Sequence, residues 1–472
     1  MGYQSDIMKK EMTSDVKMLL GNPKKAIIAM SIPIIIAMIA QSANNLIDSV
    51  WVAGLGPNAL AAVGLVFPLF FIIIGIGNGI GIGASSAIGR RIGRKDKDGA
   101  DRTASQSIGL TVAIGIIVAI LLLLIQRPLM LMLGAGDTIG FCIDYGTPIF
   151  ICIPILLLNS VFSNLLIAEG AAKRSMMIQI LAAIINICLD PIFIYDYGLG
   201  MGMAGAAWAT VIAVTTSLIV MMYWYFIKKN TYLDIKLRGF RFNKEIDNDI
   251  FRVGIPSSVE MIFMSFMAML MNIIIIIVGG TDGVAIYSAT WRLIQMIMIP
   301  LMAVGSSIVP ICAVAYGAKR YDKIKDAYNF SIKFCILIMI ILAALVAIFA
   351  DYLVFIFTYS ESTALLKEDI VLCIRMMCIF LPFMAWGFVA SGFFQGIGMG
   401  LKSLISTILR SGIQIPVCYA LAITAGTLMS IWWGIVATEI AGSVFVGLWS
   451  LLILRILVKE YKSHADDNIS EN

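Results

Sequence analysis

Long, predominantly apolar stretches recur twelve times along the chain, near 26–52, 59–86, 103–126, 139–167, 176–197, 202–227, 249–278, 284–314, 330–357, 368–394, 403–424 and 430–456. A bilayer core about 30 Å thick takes roughly 20 apolar residues at about 1.5 Å per residue. The pattern predicts twelve membrane-spanning helices. Two of the junctions are brief, a glycine-rich one over 190–206 and another over 424–430.

The polar positions supply an independent check. Twenty-nine of the 34 Lys and Arg fall in alternate loops or at the chain ends: five before span one, six between Arg90 and Arg102, then Lys173 and Arg174, the stretches 228–252 and 319–333, Lys402 and the C-terminal end. The opposite loops hold only Arg127 and Lys367, while Arg292, Arg375 and Arg410 fall within spans. Loops rich in Lys and Arg stay in the cytoplasm. The alternation therefore predicts a multi-pass protein of the plasma membrane with both termini cytoplasmic.

Composition narrows the class further. The 472 residues are 60% hydrophobic and 13% charged, with a mean hydropathy of +0.94. Soluble domains carry roughly 45–50% apolar and about 25% charged residues. A soluble enzyme, a disordered chain and a secreted disulfide scaffold are excluded, and a net charge of +5 with one histidine, His464, is too small to suggest nucleic acid as a partner. The eight cysteines form no Cys-x-x-Cys pair and read as small buried hydrophobes. The polar N-terminal stretch lacks the apolar core of a secretory signal, and Asp6 stands where myristoylation of Gly2 needs Ser or Thr. No Gly-Lys-Ser/Thr phosphate loop and no histidine metal motif occur, so neither ATP hydrolysis nor an organic cofactor is expected, and the chain does not read as an enzyme. Gly75-Ile76-Gly77-Asn78-Gly79 in span two reads as close helix packing.

The two halves resemble each other. Ser31-Ile32-Pro33 aligns with Gly254-Ile255-Pro256, and the turn Gly56-Pro57-Asn58 with Gly279-Gly280-Thr281, both at an offset of 223. Gly93-Arg94-Lys95-Asp96 resembles Gly317-Ala318-Lys319-Arg320; at an offset of 228, Ser175 and Leu181 match Ser403 and Leu409, and Ala209-Thr210 matches Ala437-Thr438. This predicts an all-α protein of two pseudo-symmetric six-helix lobes, 26–227 and 249–456. A cytoplasmic segment 1–25, a linker 228–248 and a tail 457–472 complete it. Such duplication is a transporter architecture with substrate held between the halves.

Ionisable groups at membrane depth are costly and mark function by default. Gln41, Asn45 and Asp48 recur on one face of span one; Gln179, Asn186 and Asp190 recur on one face of span five; Thr210 lies in span six. Asp48, Asn186, Asp190 and Thr210 supply oxygen ligands for a hard cation such as Na⁺, and the two carboxylates suit a proton equally. A structural role stays open, since both acids sit toward the outer ends of their spans and Asp190 precedes Pro191. By the repeat, Asp48 maps to Met271, Asp190 to Cys418, Asn186 to Gln414 and Thr210 to Thr438. The acids are absent from the second half, so one ion site is expected, in the first. There, Glu260, Met264, Met267 and Met271 share a face of span seven, and Ser403, Ser406, Arg410 and Gln414 one of span eleven. Arg410 has Glu260 or Glu439 as a possible ion-pair partner. With Gln41, Asn45 and Gln179, the residues Glu260, Met264, Met267, Arg410 and Gln414 are candidate lining of a substrate pocket, Met-rich surfaces being tolerant of varied apolar ligands.

The runs Asn44-Asn45-Leu46-Ile47-Asp48 and Val52-Ala53-Gly54-Leu55-Gly56 resemble the first-helix signature of the multidrug and toxic compound extrusion (MATE) family. So do Ala168-Glu169-Gly170, Asn186-Ile187-Cys188-Leu189-Asp190-Pro191, Gly205-Ala206-Ala207-Trp208-Ala209-Thr210 and Phe394-Gln395-Gly396. The resemblance implies a twelve-helix antiporter that expels small organic, often cationic, compounds against an inward Na⁺ or H⁺ gradient. It is closest to the prokaryotic DNA-damage-inducible branch, whose cation site matches Asp48, Asn186, Asp190 and Thr210. Asn44 stands where some relatives of that branch carry an aromatic. Other branches carry essential acids in helices seven and ten; here span ten offers Arg375. A monomer is expected. The alternative is a lipid-linked oligosaccharide flippase of the wider superfamily, which Arg292, Arg375 and Arg410 keep in view.

Overall fold

The computed structural model describes residues 12–236, 242–356 and 365–470, without side chains at 356 and 460–470. Gly2, Asp6 and the middle of the linker, 237–241, lie outside the described residues, as does the side chain of His464. What is described is helical and contains no strand.

A short α1 (Ser14–Leu20) precedes the first half, which comprises α2 (Pro23–Ala53), α3 (Pro57–Gly93), α4 (Lys97–Met132), α5 (Ile139–Ile151), α6 (Ile153–Ala168), α7 (Ala172–Ile194) and α8 (Gly202–Met222). The second half comprises α9 (Lys244–Ile297), α10 (Ile299–Gly317), α11 (Tyr321–Leu353), α12 (Lys367–Met377), α13 (Leu381–Gly396), α14 (Gly400–Gly412), α15 (Gln414–Thr424) and α16 (Leu428–Ser470). Helix starts follow ordinary capping chemistry: Asn22, Asp96 and Asn243 each accept a backbone N–H from the first turn of α2, α4 and α9.

These helices make twelve spans. The fourth is α5 and α6, bent by 55°, and the tenth is α12 and α13, bent by 53°. Each bend is followed at once by a proline, Pro154 or Pro382, which cannot donate into the preceding turn. Helix α9 carries span seven and opens span eight; the chain reverses at Gly280, with φ 58° and ψ −150°, a conformation that glycine adopts without strain.

The repeat extends to backbone detail. Gly170 (φ 84°) and Gly398 (φ 82°) hold left-handed turns 228 residues apart, and Lys95 (φ 62°) and Lys319 (φ 55°) do so 224 apart. The hydroxyl pairs Ser163–Ser175 and Ser391–Ser403 are each 2.7 Å long and again related by 228.

The halves meet mainly where α3 lies against α9 and α10, at the end of the bundle bearing the basic loops. A Cβ at Gly83 would come within 2.3 Å of the Ile250 carbonyl, and one at Gly317 within 1.9 Å of the Arg90 carbonyl, so only glycine allows the approach. The predicted packing role of the span-two glycines appears at Gly79, whose Cβ would strike Ser258 and the Gly254 carbonyl. Arg90 and Arg91 both bind Asp249, the latter at 2.7 Å, and Ser86 donates to the Gln395 carbonyl. Ser31 meets Ser307 across the same seam at 3.1 Å.

The linker is strapped to the first half. The Tyr232 and Leu233 amides donate to Glu169 at 2.9 and 3.2 Å, the Asp234 amide to Asp101 at 2.9 Å, and the Lys236 amide to Ser105 at 3.1 Å. Burial outweighs the two backbone amides and lifts the Glu169 carboxyl to about 7. Of the eight cysteines, seven are buried as expected, and Cys188 is exposed on the outer face of α7.

Candidate functional site

Helices α2 and α7 lie side by side, and two turns of each build the site. Asn44 on α2 donates to the Asn186 side-chain carbonyl on α7 at 2.9 Å. One turn further along each helix come Asp48 and Asp190, close enough for their charges to interact. Asn186 donates to Asp190 Oδ1 at 2.9 Å, and its amide also approaches Thr210 Oγ1 on α8 at 3.4 Å. Thr210 in turn donates to the Ala206 carbonyl at 3.2 Å. Asp190 is fully buried, Asn186 is 3% exposed and Asn44 is 9% exposed.

The sequence expectation brought four residues together, and Asp48, Asn186, Asp190 and Thr210 do converge here. Their roles divide. The Asn186 carbonyl is occupied by Asn44 and its amide by Asp190, so Asn186 orients its neighbours. The oxygens left without a hydrogen bond among the described residues are Asp48 Oδ1 and Asp190 Oδ2, joined by Asn44 Oδ1. An ionised carboxylate in such a place needs a cation or a proton. This donor set, all oxygen, fits a hard cation.

Two features of the site were not read from the sequence. Asn44 lies one turn before Asp48, yet the face chosen by spacing ran through Gln41 and Asn45. Those two pair with each other at 3.3 Å on the exposed side of α2. The amide at i−4 from the acid was the available signal. Tyr145 on α5 lies near both carboxylates, with no pattern in the sequence to mark it. Above the site, the Tyr195 hydroxyl donates to the Trp51 carbonyl at 2.8 Å, and the two rings meet edge to face.

In the second half, Glu260 is half-buried and surrounded by neutral donors. Ser403, Ser391 and Gln395 reach it at 3.1, 3.3 and 3.4 Å, and Thr407 also donates to it. Met264 receives the Ser411 hydroxyl at 3.6 Å and is half-buried with Met267, whereas Met271 is 2% exposed, inside the second-half core. Gln179 donates to Ser175 at 3.2 Å, and Gln414 is half-buried at the start of α15.

Arg410 departs from the pocket expectation. It is 6% exposed, its guanidinium is 3.5 Å from Glu439, and it lies over the Phe388 ring. Gly387 and Gly442 make room for it, since a Cβ at either would contact the Arg410 side chain, at 3.3 Å from Gly387 and 3.0 Å from Gly442. Of its two possible partners the structure selects Glu439, and the pair is sealed inside the second half. Arg375 sits on Asp351 at 2.8 Å at an exposed position. No group of three or more metal-ligating His, Cys, Asp or Glu occurs among the described residues.

A family model described as MatE matches residues 33–192 and again 256–420, two stretches that begin 223 residues apart. Multidrug export protein MepA of Staphylococcus aureus (strain NCTC 8325 / PS 47) is 26% identical over 435 residues, 92% of this chain and 94% of that protein. Its counterpart from Staphylococcus saprophyticus is 27% identical over 446 residues, with the same coverage. A MATE transporter crystallised in complex with MaL6 superposes with a TM-score of 0.92 at 38% identity, over 95% of this chain and all of that one. A MOP superfamily transporter from Pyrococcus furiosus superposes at 0.90 with 38% identity, over 94% and 99% of the two chains.

Proposed function

The chain belongs to the MatE family of membrane transporters, and on that footing we propose that it exports small organic, often cationic, compounds across the plasma membrane in exchange for Na⁺ or H⁺. The pair of half-buried Asp48 and fully buried Asp190 carries this reading. Two carboxylates in an apolar interior repel each other, and an arriving cation relieves both. The positive-inside pattern orients the basic end toward the cytoplasm. In this conformation the halves are held together at that end by the Arg90/Arg91–Asp249 contact and the glycine seam.

The working cycle is alternating access. An ion entering from the outer side favours one arrangement of the halves over the other, because only unequal affinity for the two arrangements couples binding to motion. Glu260, bearing only neutral donors from its own half, offers a half-buried negative charge to a cationic substrate. Met264 and Met267 flank it with adaptable apolar surface. Multidrug export is the activity named for the staphylococcal relatives, which supports the substrate class. The same site residues support a place in the DNA-damage-inducible branch, with a monomer as the working unit.

The flippase reading is not favoured. It calls for cationic side chains gathered between the halves, whereas Arg410 is neutralised within one half and Arg375 is paired at the surface.

The test is transport. In a drug-sensitive host, Asp48→Asn and Asp190→Asn should each abolish resistance to cationic dyes while a fluorescent fusion reports normal insertion. Vesicles with an imposed Na⁺ or H⁺ gradient then identify the coupling ion. Normal efflux by both variants would remove the assignment.

A further inference from the structure

We infer that α1 is a latch: a short helix tethered to the first half that grips the second half and holds the cytoplasmic end closed where the repeat lacks an Arg–Asp bridge. The latch presupposes alternating access and draws on neither acid of the ion site.

The repeat gives the cytoplasmic end two related edges. At one edge Arg90 of the first half covers the left-handed turn at Gly398 of the second, where a Cβ would come within 2.9 Å of the guanidinium, and it also binds Asp249. Carried through the repeat, Arg90 becomes Val314, 224 residues on; Gly398 becomes Gly170, and Asp249 becomes Ala26. The second edge therefore has an apolar side chain in place of the guanidinium and no acid to hold it. Val314 is nevertheless 1% exposed, so another group covers it.

Helix α1 stands there. A Cβ at Gly170 would come within 2.8 Å of the Asp15 carbonyl and 3.1 Å of Leu19 Cγ, so α1 lies on the first-half turn as Arg90 lies on the second-half one. Its other side faces α10, where Leu19 and Leu20 line a small gap with Ile311, Val314 and Ala315. Val16 and Leu19 are buried. Lys323, at the start of α11, donates from Nζ to the Leu20 carbonyl and, at 2.7 Å, to the Gly21 carbonyl. The last carbonyls of a helix have no partner within it, and a cation beside them also complements the helix dipole. The second half thus supplies the C-terminal cap of a helix whose chain runs straight on into α2 of the first. A seven-residue helix is too short to persist alone in water, so α1 keeps its shape while both halves clasp it. Parting the halves at this end uncovers Leu19 and Val314 and takes Lys323 from its carbonyls in the same step.

The experiment measures distances between spin labels at Lys173→Cys and Lys325→Cys, exposed positions three residues past Gly170 and two past Lys323. It uses the full-length protein in nanodiscs, with Cys188→Ala to remove the exposed native thiol. Lys323→Gln removes the cation from the α1 carbonyls, and Leu19→Ala removes the side chain between the Gly170 turn and α10. Each should raise the share of long distances at least about threefold over the parent. Lys17→Gln, which removes an exposed charge from α1 itself, should leave the distribution as in the parent. Were α1 only a brace for the first half, Lys323→Gln and Leu19→Ala would lower the melting temperature with distances unchanged, and the latch would be overturned. Equal opening by Lys17→Gln would overturn it too, since net charge and not the clasp would then set the balance. Gradient-driven dye efflux from vesicles of the parent tests the export reading apart from this: its absence would remove the substrate class and leave the measured distances standing.

Discussion

The two halves share one backbone plan and use it for opposite electrostatics. In the first, Asp48, Asp190 and Asn44 leave buried oxygens without a hydrogen bond among the described residues. At the equivalent places of the second stand Met271 and Cys418, 2% and 0% exposed, and nearby Arg410 is paired with Glu439. The second half carries its own cation on a tether, and under the proposed coupling the first borrows one from solution. A tethered charge cannot leave, so it cannot report a gradient. The comparison teaches that duplication supplies the frame, while the proposed coupling confines the exchangeable charge to one copy.

The sharpest way to break this contrast is to neutralise equivalent positions in each half. Asp190→Asn should reduce ion-driven efflux to background. Cys418→Ala, at the matching position in the second half, should leave it within about twofold of the parent, because a small buried thiol contributes mainly packing. Dye efflux from loaded vesicles, normalised to inserted protein, reads both. Equal losses would mean that the halves are chemically equivalent after all.

Next in size is the tethered pair. Arg410→Met leaves the Glu439 carboxylate buried alone, and breaking a buried pair on one side typically costs about 3–5 kcal/mol. The double variant Arg410→Met/Glu439→Gln removes both charges and should recover most of that loss. Thermal unfolding in detergent checks it. The outcome sharpens the comparison, because an exchangeable site would lose transport in the double variant, whereas a structural pair regains both stability and transport.

The contact that closes the basic end comes third. Asp249 holds Arg90 and Arg91 across the seam, and hydrogen bonds to charged partners are worth about 1.5–3 kcal/mol each when well shielded. Asp249 is 28% exposed at its side chain, so the lower end applies. Asp249→Ala should move the balance between closed and open basic ends by about tenfold. Distances between spin labels at 95 and 319, on the two sides of the seam, would report a broader distribution in the variant.

Much of this was legible from the sequence. The twelve spans follow from apolar run length, and the repeat from motif offsets that reappear in the left-handed turns at Lys95 and Lys319 and at Gly170 and Gly398. Asp48, Asn186, Asp190 and Thr210 were found because a polar group at membrane depth is conspicuous against an apolar background. What escaped were facts of rotation and contact. Asn44 and Asn45 are adjacent in sequence and differ by one helical step of about 100°, too fine for a spacing argument to choose between them. Arg410 has two acids at plausible distance in sequence, and only the packing of α14 against α16 selects Glu439. The Arg90/Arg91–Asp249 bridge joins residues 158 and 159 positions apart, and no periodicity connects them.

The smallest expected effect on transport separates the site acids from an acid that only holds the frame. Glu169 is buried beside the linker and accepts the Tyr232 and Leu233 amides. Its carboxyl stands at about 7 in the folded chain against 4.5 for an unperturbed one. Between those values the folded protein binds the proton that the unfolded chain has released. Stability therefore falls as pH rises from about 4.5 through about 7, by the linkage of proton uptake to unfolding. Glu169→Gln keeps an oxygen for both amides and removes the titration. Its melting temperature should be flatter across pH 5–8 than that of the parent, with efflux within about twofold, since neither the ion site nor the seam is touched. If Glu169→Gln instead abolished ion-dependent efflux as Asp190→Asn does, Glu169 would belong to the coupling machinery and the exchangeable charge would extend beyond the α2–α7 site.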